Sequence, residues 1–386
     1  MKITKITGHH VKIPLIYPAV WSGGTRRAAP AYIIEVQTDE GIVGIGECVG
    51  PTVPTIAAIV NEEMRQFLIG QDPLRTEYLV RRMEEFARNW LQLGLYAIAG
   101  IEMALLDIKG KYLGAPVWQL LGGLCKKEAG YAGYLFIDEP ALNAERALAY
   151  KNEGYTEIKL KVGRDLARDD ETLSAIRAAV GPGIKIRVDA NMNWSVPTAI
   201  KWIRALQKYD LMYVEQPVPD YDLEGMAAVR RAVEVPIASD ESCSSVERVV
   251  EMIKRESCDV FVVYVSEAGG LTRARTIASV ADACGKWCVM GTWAETGVAT
   301  IAGAHVIASS ANFVFCNDSH YMLQSGDVLT EPLRIVNGKI ALPEGPGLGV
   351  ALDPAKIAEM EKTDVRESVF FDNVEDENMP LIGQVI

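Results

Sequence analysis

The chain has 386 residues, 49% hydrophobic and 23% charged, which suits a globular enzyme with room for a barrel and a second, smaller unit. With 39 Lys and Arg against 51 Asp and Glu, the net charge of −12 argues against nucleic acid or an anionic membrane as a partner. No apolar signal core follows Met1-Lys2-Ile3 and no apolar run of about 18 residues occurs, so the expected location is cytoplasmic. Seven scattered cysteines without a CxxC pair, and four histidines, leave no zinc set and read as reduced thiols.

Residues 1 to about 50 read as a three-stranded antiparallel meander: Ile3–Ile13, Ala31–Val36 and Ile42–Glu47. A Gly- and Arg-bearing loop, Trp21 to Arg27, separates the first two strands. Helical periodicity then runs to about Tyr112. It is clearest over Ala97–Ile108, where the Gly and Ala spacing suits close packing. Strands followed by helices make an α+β unit, placed at 1–125. From about Gly130 strand and helix alternate. The expected strands are Gly130–Phe136, Thr156–Lys161, Ile184–Asp189, Leu211–Glu215, Ile237–Asp240, Val260–Tyr264, Trp287–Thr292 and Phe313–Cys316. Helices are expected between them, such as 170–180, 196–208 and 271–284. Eight strands at this spacing suit a closed parallel barrel over 126–350 better than an open doubly wound sheet. The polar, acidic stretch 351–386 is expected to pack back on the first unit.

Four of these strands end in reactive groups. Asp189, Glu215 and Asp240 close three apolar runs and lie 26 and 25 residues apart, about one strand, one helix and two short loops. Lys159 and Lys161 close the run before them. In a closed parallel barrel, the C-terminal ends of the strands converge on one mouth. Three carboxylates there repel one another unless a cation sits between them, and magnesium favours such an all-oxygen set. Lysines two apart on a strand point to the same side, and burial beside positive charge lowers an amine's pKa toward use as a base. The pattern reads as a metal-assisted proton-transfer site, with solvated strand-end acids as the plain alternative.

The chain resembles the enolase superfamily, and within it the muconate lactonizing enzyme subgroup (the mandelate racemase/muconate lactonizing enzyme family). The resemblance rests on Ile158–Gly163 (IKLKVG), Val188–Asn191 (VDAN), Val214–Pro217 (VEQP) and Ala238–Ser242 (ASDES). It continues through Ala268–Leu271 (AGGL) and Gly291–Gly297 (GTWAETG). It also covers Gly46-Glu47-Cys48, Ile108–Lys111 and Leu121-Gly122-Gly123 near the N-terminus. It implies an α/β fold, a modified TIM barrel, (β/α)7β, under an N-terminal α+β capping domain. It further implies one Mg2+ held by Asp189, Glu215 and Asp240, and abstraction of the proton alpha to a substrate carboxylate, giving a metal-stabilised enediolate. Superfamily sites of this kind pair a Lys or His base with magnesium. By the same resemblance Lys161 is the base and Lys159 tunes it. Asn191 and Glu241 are candidates to support the acids, and homo-oligomeric assembly is expected.

One departure is informative. The family usually places a second catalytic lysine on the sixth strand, just before Ala-Gly-Gly, and this chain has Tyr264 there. A phenol with an ordinary pKa of about 10 is a poor base, so Tyr264 fits a one-base lyase or cycloisomerase, a dehydration or lactonization. The alternatives are a racemase or epimerase of an amino-acid or hydroxy-acid derivative, and a catalytically silent carboxylate-binding protein. The family places a glutamate at the substrate where Glu295 stands. Trp21 and Arg26 fall in the loop where the cap shapes specificity, with solvent exposure the default for Arg26. Tyr134, Trp293 and Asp318 are candidates for the mouth. His305, on an apolar helix, is expected to be structural.

Overall fold

A computed structural model describes residues 1–364, in which three sheets organise the chain. The first is antiparallel: β1 (Ile3–Trp21), β2 (Gly24–Thr38) and β3 (Val43–Cys48), in that order. The expected meander is present with one correction. The predicted loop from Trp21 to Arg27 is the tip of a long hairpin, in which Trp21 pairs with Gly24 and only Ser22 and Gly23 turn. The arm stays extended because the barrel holds it: Ser22 Oγ donates to the Ala190 carbonyl at 2.7 Å, and Ile137 N to the Val20 carbonyl at 2.9 Å.

Helices α1 (Thr76–Ala87) and α2 (Gln92–Leu113) follow; α2 packs on this sheet and α1 packs on α2. A Cβ on Gly46 would lie 2.0 Å from the Gly100 carbonyl oxygen, and one on Gly44 2.2 Å from that of Ala104. Strand and helix backbones touch there, and no side-chain movement could relieve an added methyl. The small residues read within Ala97–Ile108 have this purpose.

The predicted strand Gly130–Phe136 is two pieces, β4 (Glu128–Gly130) and β5 (Gly133–Leu135). β5 opens a parallel sheet that continues in chain order through β6 (Glu157–Lys161), β7 (Lys185–Asp189) and β8 (Leu211–Glu215). It ends with β9 (Ile237–Ser239), β10 (Val260–Val263) and β11 (Trp287–Met290). β4 pairs instead with β12 (Lys339–Ala341). The helix expected at 170–180 begins at Leu166, because the Asp165 side chain accepts from the backbone N–H groups of Ala167 and Arg168.

The strand expected at Phe313–Cys316 is not formed, and the eighth place in the ring is irregular. Asn317 closes the gap. Its side-chain oxygen accepts from Met290 N at 2.8 Å, its backbone N donates to the Gly130 carbonyl at 2.7 Å, and its carbonyl accepts from Ala132 N at 2.9 Å. A side chain replaces part of the ladder on the β11 side, so no regular strand is required there.

Cap and barrel share a core in which Ile33, Ile45 and Met103 join Leu271, Val298 and Ile301. Two buried carboxylates of the cap also seat on barrel helices. Glu102 accepts from Leu271 N (2.8 Å) and Thr272 N (3.1 Å) at the start of α3 (Leu271–Ala283). Glu47 accepts from Thr296 N and Ala299 N, both at 2.8 Å, at the start of α4 (Gly297–Ala308). Negative charge is favoured at both helix N-termini. Burial nevertheless pushes the Glu47 carboxyl up to about 7, against the hydrogen bonds from Thr296 and Ala299. Folded Glu47 therefore keeps a proton that the unfolded chain releases from about pH 4.5 upward, so stability falls as pH rises from about 4.5 to about 7. Urea unfolding of Glu47→Gln between pH 5 and 8 is expected to show a shallower fall than wild type; an identical slope would contradict this.

Of the stretch 351–386, α5 (Pro354–Met360) lies against β1, with Glu361 Oε1 3.1 Å from His9 Nδ1. Residues 365–386 lie outside the described residues. Among the described residues, no helix is long and apolar enough to cross a membrane.

Candidate active site

Strand register sets the site. Lys161 pairs with Asp189 and Asp189 with Glu215, so these side chains reach the mouth at one level, and Asp240 follows directly after β9. One carboxylate oxygen from each of Asp189, Glu215 and Asp240 lies within 4.8 Å of the others, and all three residues are buried. Lys159 Nζ reaches Glu215 Oε1 at 2.5 Å, Asp318 Oδ2 at 2.7 Å and Asp189 Oδ2 at 3.2 Å. Lys161 Nζ reaches Asp189 Oδ2 at 2.5 Å. Deeper in the ring, buried Arg187 bonds Asp318 Oδ1 at 2.6 Å and Glu157 Oε2 at 2.8 Å. Arg187 and Asp189 are two apart on β7, as the lysines are on β6, and each pair shares the inward face.

The charges compete. Burial raises the Asp189 carboxyl, but Lys161 and Lys159 overcome it and hold the group well below the usual carboxylate range. Burial pushes Glu215 and Asp240 upward, reinforced by Asp189 at Glu215 and by Glu241 and Asp189 at Asp240. Burial lowers Lys161 most of any single influence, yet Asp189, Tyr134 and Glu215 together outweigh it and hold the ammonium above its ordinary range.

These residues fit a hard divalent cation. Asp189, Glu215, Asp240, Glu241 and Asp318, all buried or nearly so, outnumber Lys159, Lys161 and Arg187. Glu215 Oε2 is buried with no hydrogen-bond partner among the described residues. The donors are all oxygen. Behind them, Asn191 N donates to Asp189 Oδ1 at 2.9 Å, and its side-chain amide to Glu241 Oε1 at 3.0 Å.

A cavity of about 120 Å³ opens over the cluster, lined by Trp21, Arg26, Tyr134, Lys161, Tyr264 and Trp293, with Asn191, Asp240 and Glu241 at its edge. Arg26 is buried, not solvent-facing; its Nη1 donates to the Trp293 carbonyl at 2.5 Å. The Tyr134 ring lies 5.4 Å from Lys159 Nζ and 5.6 Å from Lys161 Nζ.

Residues 3–122 match the N-terminal domain of mandelate racemase/muconate lactonizing enzymes, and residues 142–356 match the enolase C-terminal domain-like family. The chain belongs to the mandelate racemase/muconate lactonizing enzyme family of the enolase superfamily. It is 31% identical to the N-succinyl-L-Arg/Lys racemase of Bacillus cereus, over 93% of this chain and 98% of the relative. It is 30% identical to the D-galactarolactone cycloisomerase of Agrobacterium fabrum, over 94% of this chain and 100% of the relative. The solved 2-chloromuconate cycloisomerase of Rhodococcus opacus superposes with a TM-score of 0.89 at 26% identity, covering 94% of this chain and 100% of that one. The chain is therefore an enzyme, and the catalytically silent alternative falls.

In this family member one predicted residue differs in position from expectation. Glu295 does not line the cavity: its carboxylate accepts from Thr292 Oγ1 (2.5 Å) and Trp293 N (2.9 Å), and it borders a separate inner cavity of about 20 Å³. Lys159 is held beneath Lys161 by Glu215 and Asp318 and does not reach the cavity. His305 is structural, its ring nitrogens each 3.1 Å from Trp118 N and the Leu348 carbonyl. Sequence reasoning missed Arg187, Glu267 and His320. Arg187 had a signal, its shared parity with Asp189. Glu267 lies in the one-turn helix Val265–Ala268 after β10 and His320 in the irregular segment after β11, both too short for a periodicity to point to a face.

Proposed function

We propose that this enzyme removes the proton alpha to the carboxylate of a small-molecule substrate, with Lys161 as base and Mg2+ held by Asp189, Glu215 and Asp240. The outcome we assign is a one-base elimination or cycloisomerization. The observation carrying this reading is that, among the described residues, Lys161 is the one lysine lining the cavity, while Tyr264 occupies the opposite side of the ring on the β10 end. A magnesium ion there supplies positive charge to the substrate carboxylate as the proton leaves.

The other steps belong to the chain. Burial and Lys159 favour a neutral Lys161 amine, opposed by Asp189, Tyr134 and Glu215. A cation engaging Asp189 and Glu215 weakens that opposition. Lys161 then takes the alpha proton and, as an ammonium, returns it on the same face to a departing hydroxyl or to carbon. Arg26 and Trp21 close the cavity from the cap and exclude water. Burial, Asp240 and Glu267 push the Tyr264 phenol well above 10, which suits a hydrogen-bond donor and not a base.

A second reading, racemization or epimerization, draws support from relatives named N-succinyl-L-Arg/Lys racemase and hydrophobic dipeptide epimerase. It requires Tyr264 to move a proton on the face opposite Lys161. NMR in deuterium oxide with magnesium separates the two: label entering both stereoisomers supports racemization, and net loss of water or ring closure supports the one-base reading. Tyr264→Phe is expected to lower kcat less than about tenfold, the scale of one hydrogen bond. A loss equal to that of Lys161→Ala would make the tyrosine an essential acid.

A further inference from the structure

His320 lies in the irregular segment that completes the ring and lines the cavity. It is 7% exposed, and neither Nδ1 nor Nε2 has a hydrogen-bond partner among the described residues. Packing orients it, with its ring T-shaped to Tyr134 at 4.6 Å and 5.5 Å from Phe136. Packing alone does not call for imidazole, since phenylalanine would fill the place without two unpaired nitrogens. Burial, with Arg26, Lys161 and Lys159 acting in the same direction, keeps the ring neutral. Neutral imidazole presents one donor and one acceptor on different ring edges, and a hydroxyl can bond at either, accepting from the N–H or donating to the bare nitrogen. A carboxylate oxygen only accepts. An ammonium only donates and meets the charge of Arg26.

We propose that His320 selects the substrate by hydrogen-bonding a hydroxyl of a hydroxylated carboxylic acid; this rests on the proton-abstraction reading above. Lys161 and His320 both flank Tyr134, so the recognised hydroxyl lies a short way along the substrate from the alpha carbon. The reaction class thereby narrows to acids that carry their own leaving or ring-closing hydroxyl.

The test is alpha-proton exchange in deuterium oxide with magnesium, on five- and six-carbon aldonates and aldarates, N-succinylated amino acids and dipeptides. Exchange confined to the hydroxylated acids is expected. For the best of them, His320→Phe, which keeps the ring packing, lowers kcat/KM about 10- to 100-fold, and His320→Gln recovers most of that loss. One monodeoxy analogue changes less than about threefold between wild type and His320→Phe, which identifies the hydroxyl. Exchange only with succinylated amino acids or dipeptides would overturn the role of His320 and leave proton abstraction standing. So would equal losses for the hydroxylated acid and every deoxy analogue. Exchange with none of these compounds would overturn the proton-abstraction reading itself.

Discussion

Lys161→Ala is expected to lower kcat by about 10²- to 10⁴-fold, the range contributed by a positioned general base, with the fold intact. Lys159 is a poor substitute. Its amine is held by Glu215 and Asp318 below the cavity, and its release would take the ion-pair partner from buried Glu215. Asp189 keeps Lys159 at 3.2 Å when Lys161 is gone, so no buried charge is orphaned and thermal unfolding changes little. The measurement is alpha-proton exchange beside a melting curve. Exchange at the wild-type rate in a folded Lys161→Ala protein would place the base elsewhere.

Asp189→Asn is expected to abolish activity and to weaken magnesium binding by more than the roughly 10- to 100-fold typical of losing an outer-shell partner. The amide keeps the shape and removes the charge that both lysines face, so the pocket becomes more positive where a cation must sit. Calorimetric titration of Mg2+ reads binding without reference to turnover. Wild-type protein treated with a chelator should lose activity and regain it on adding magnesium. Full activity in chelator, or unaltered magnesium affinity in Asp189→Asn, would reject the metal assignment.

The parts of this architecture that follow from local periodicity were legible in the sequence. Seven parallel strands lie where apolar runs predicted them, and Asp189, Glu215 and Asp240 meet because side chains at successive strand ends have one place to go. Segments governed by tertiary contacts were not legible. β1 extends to Trp21 because Ser22 is anchored on Ala190, a contact 168 residues away in sequence. The eighth strand is replaced by the side-chain and backbone bonds of one asparagine, which no hydrophobic pattern encodes. Glu295 was assigned to substrate by position in a motif, while the geometry turns its carboxylate into its own loop. Tyr264 was recognisable as a departure, yet its environment became visible only when Asp240 and Glu267 were placed around it.

The run of ion pairs from Glu157 through Arg187, Asp318 and Lys159 to Glu215 has a bearing on how this protein can change over time. Neutralising one member strands a partner's charge inside a closed ring, a penalty of about 3–5 kcal/mol and a large share of a domain's stability. Drift at these positions should therefore proceed by compensating double substitutions, while rim side chains outside this run can vary singly. New substrates can then evolve at the rim without disturbing the catalytic floor.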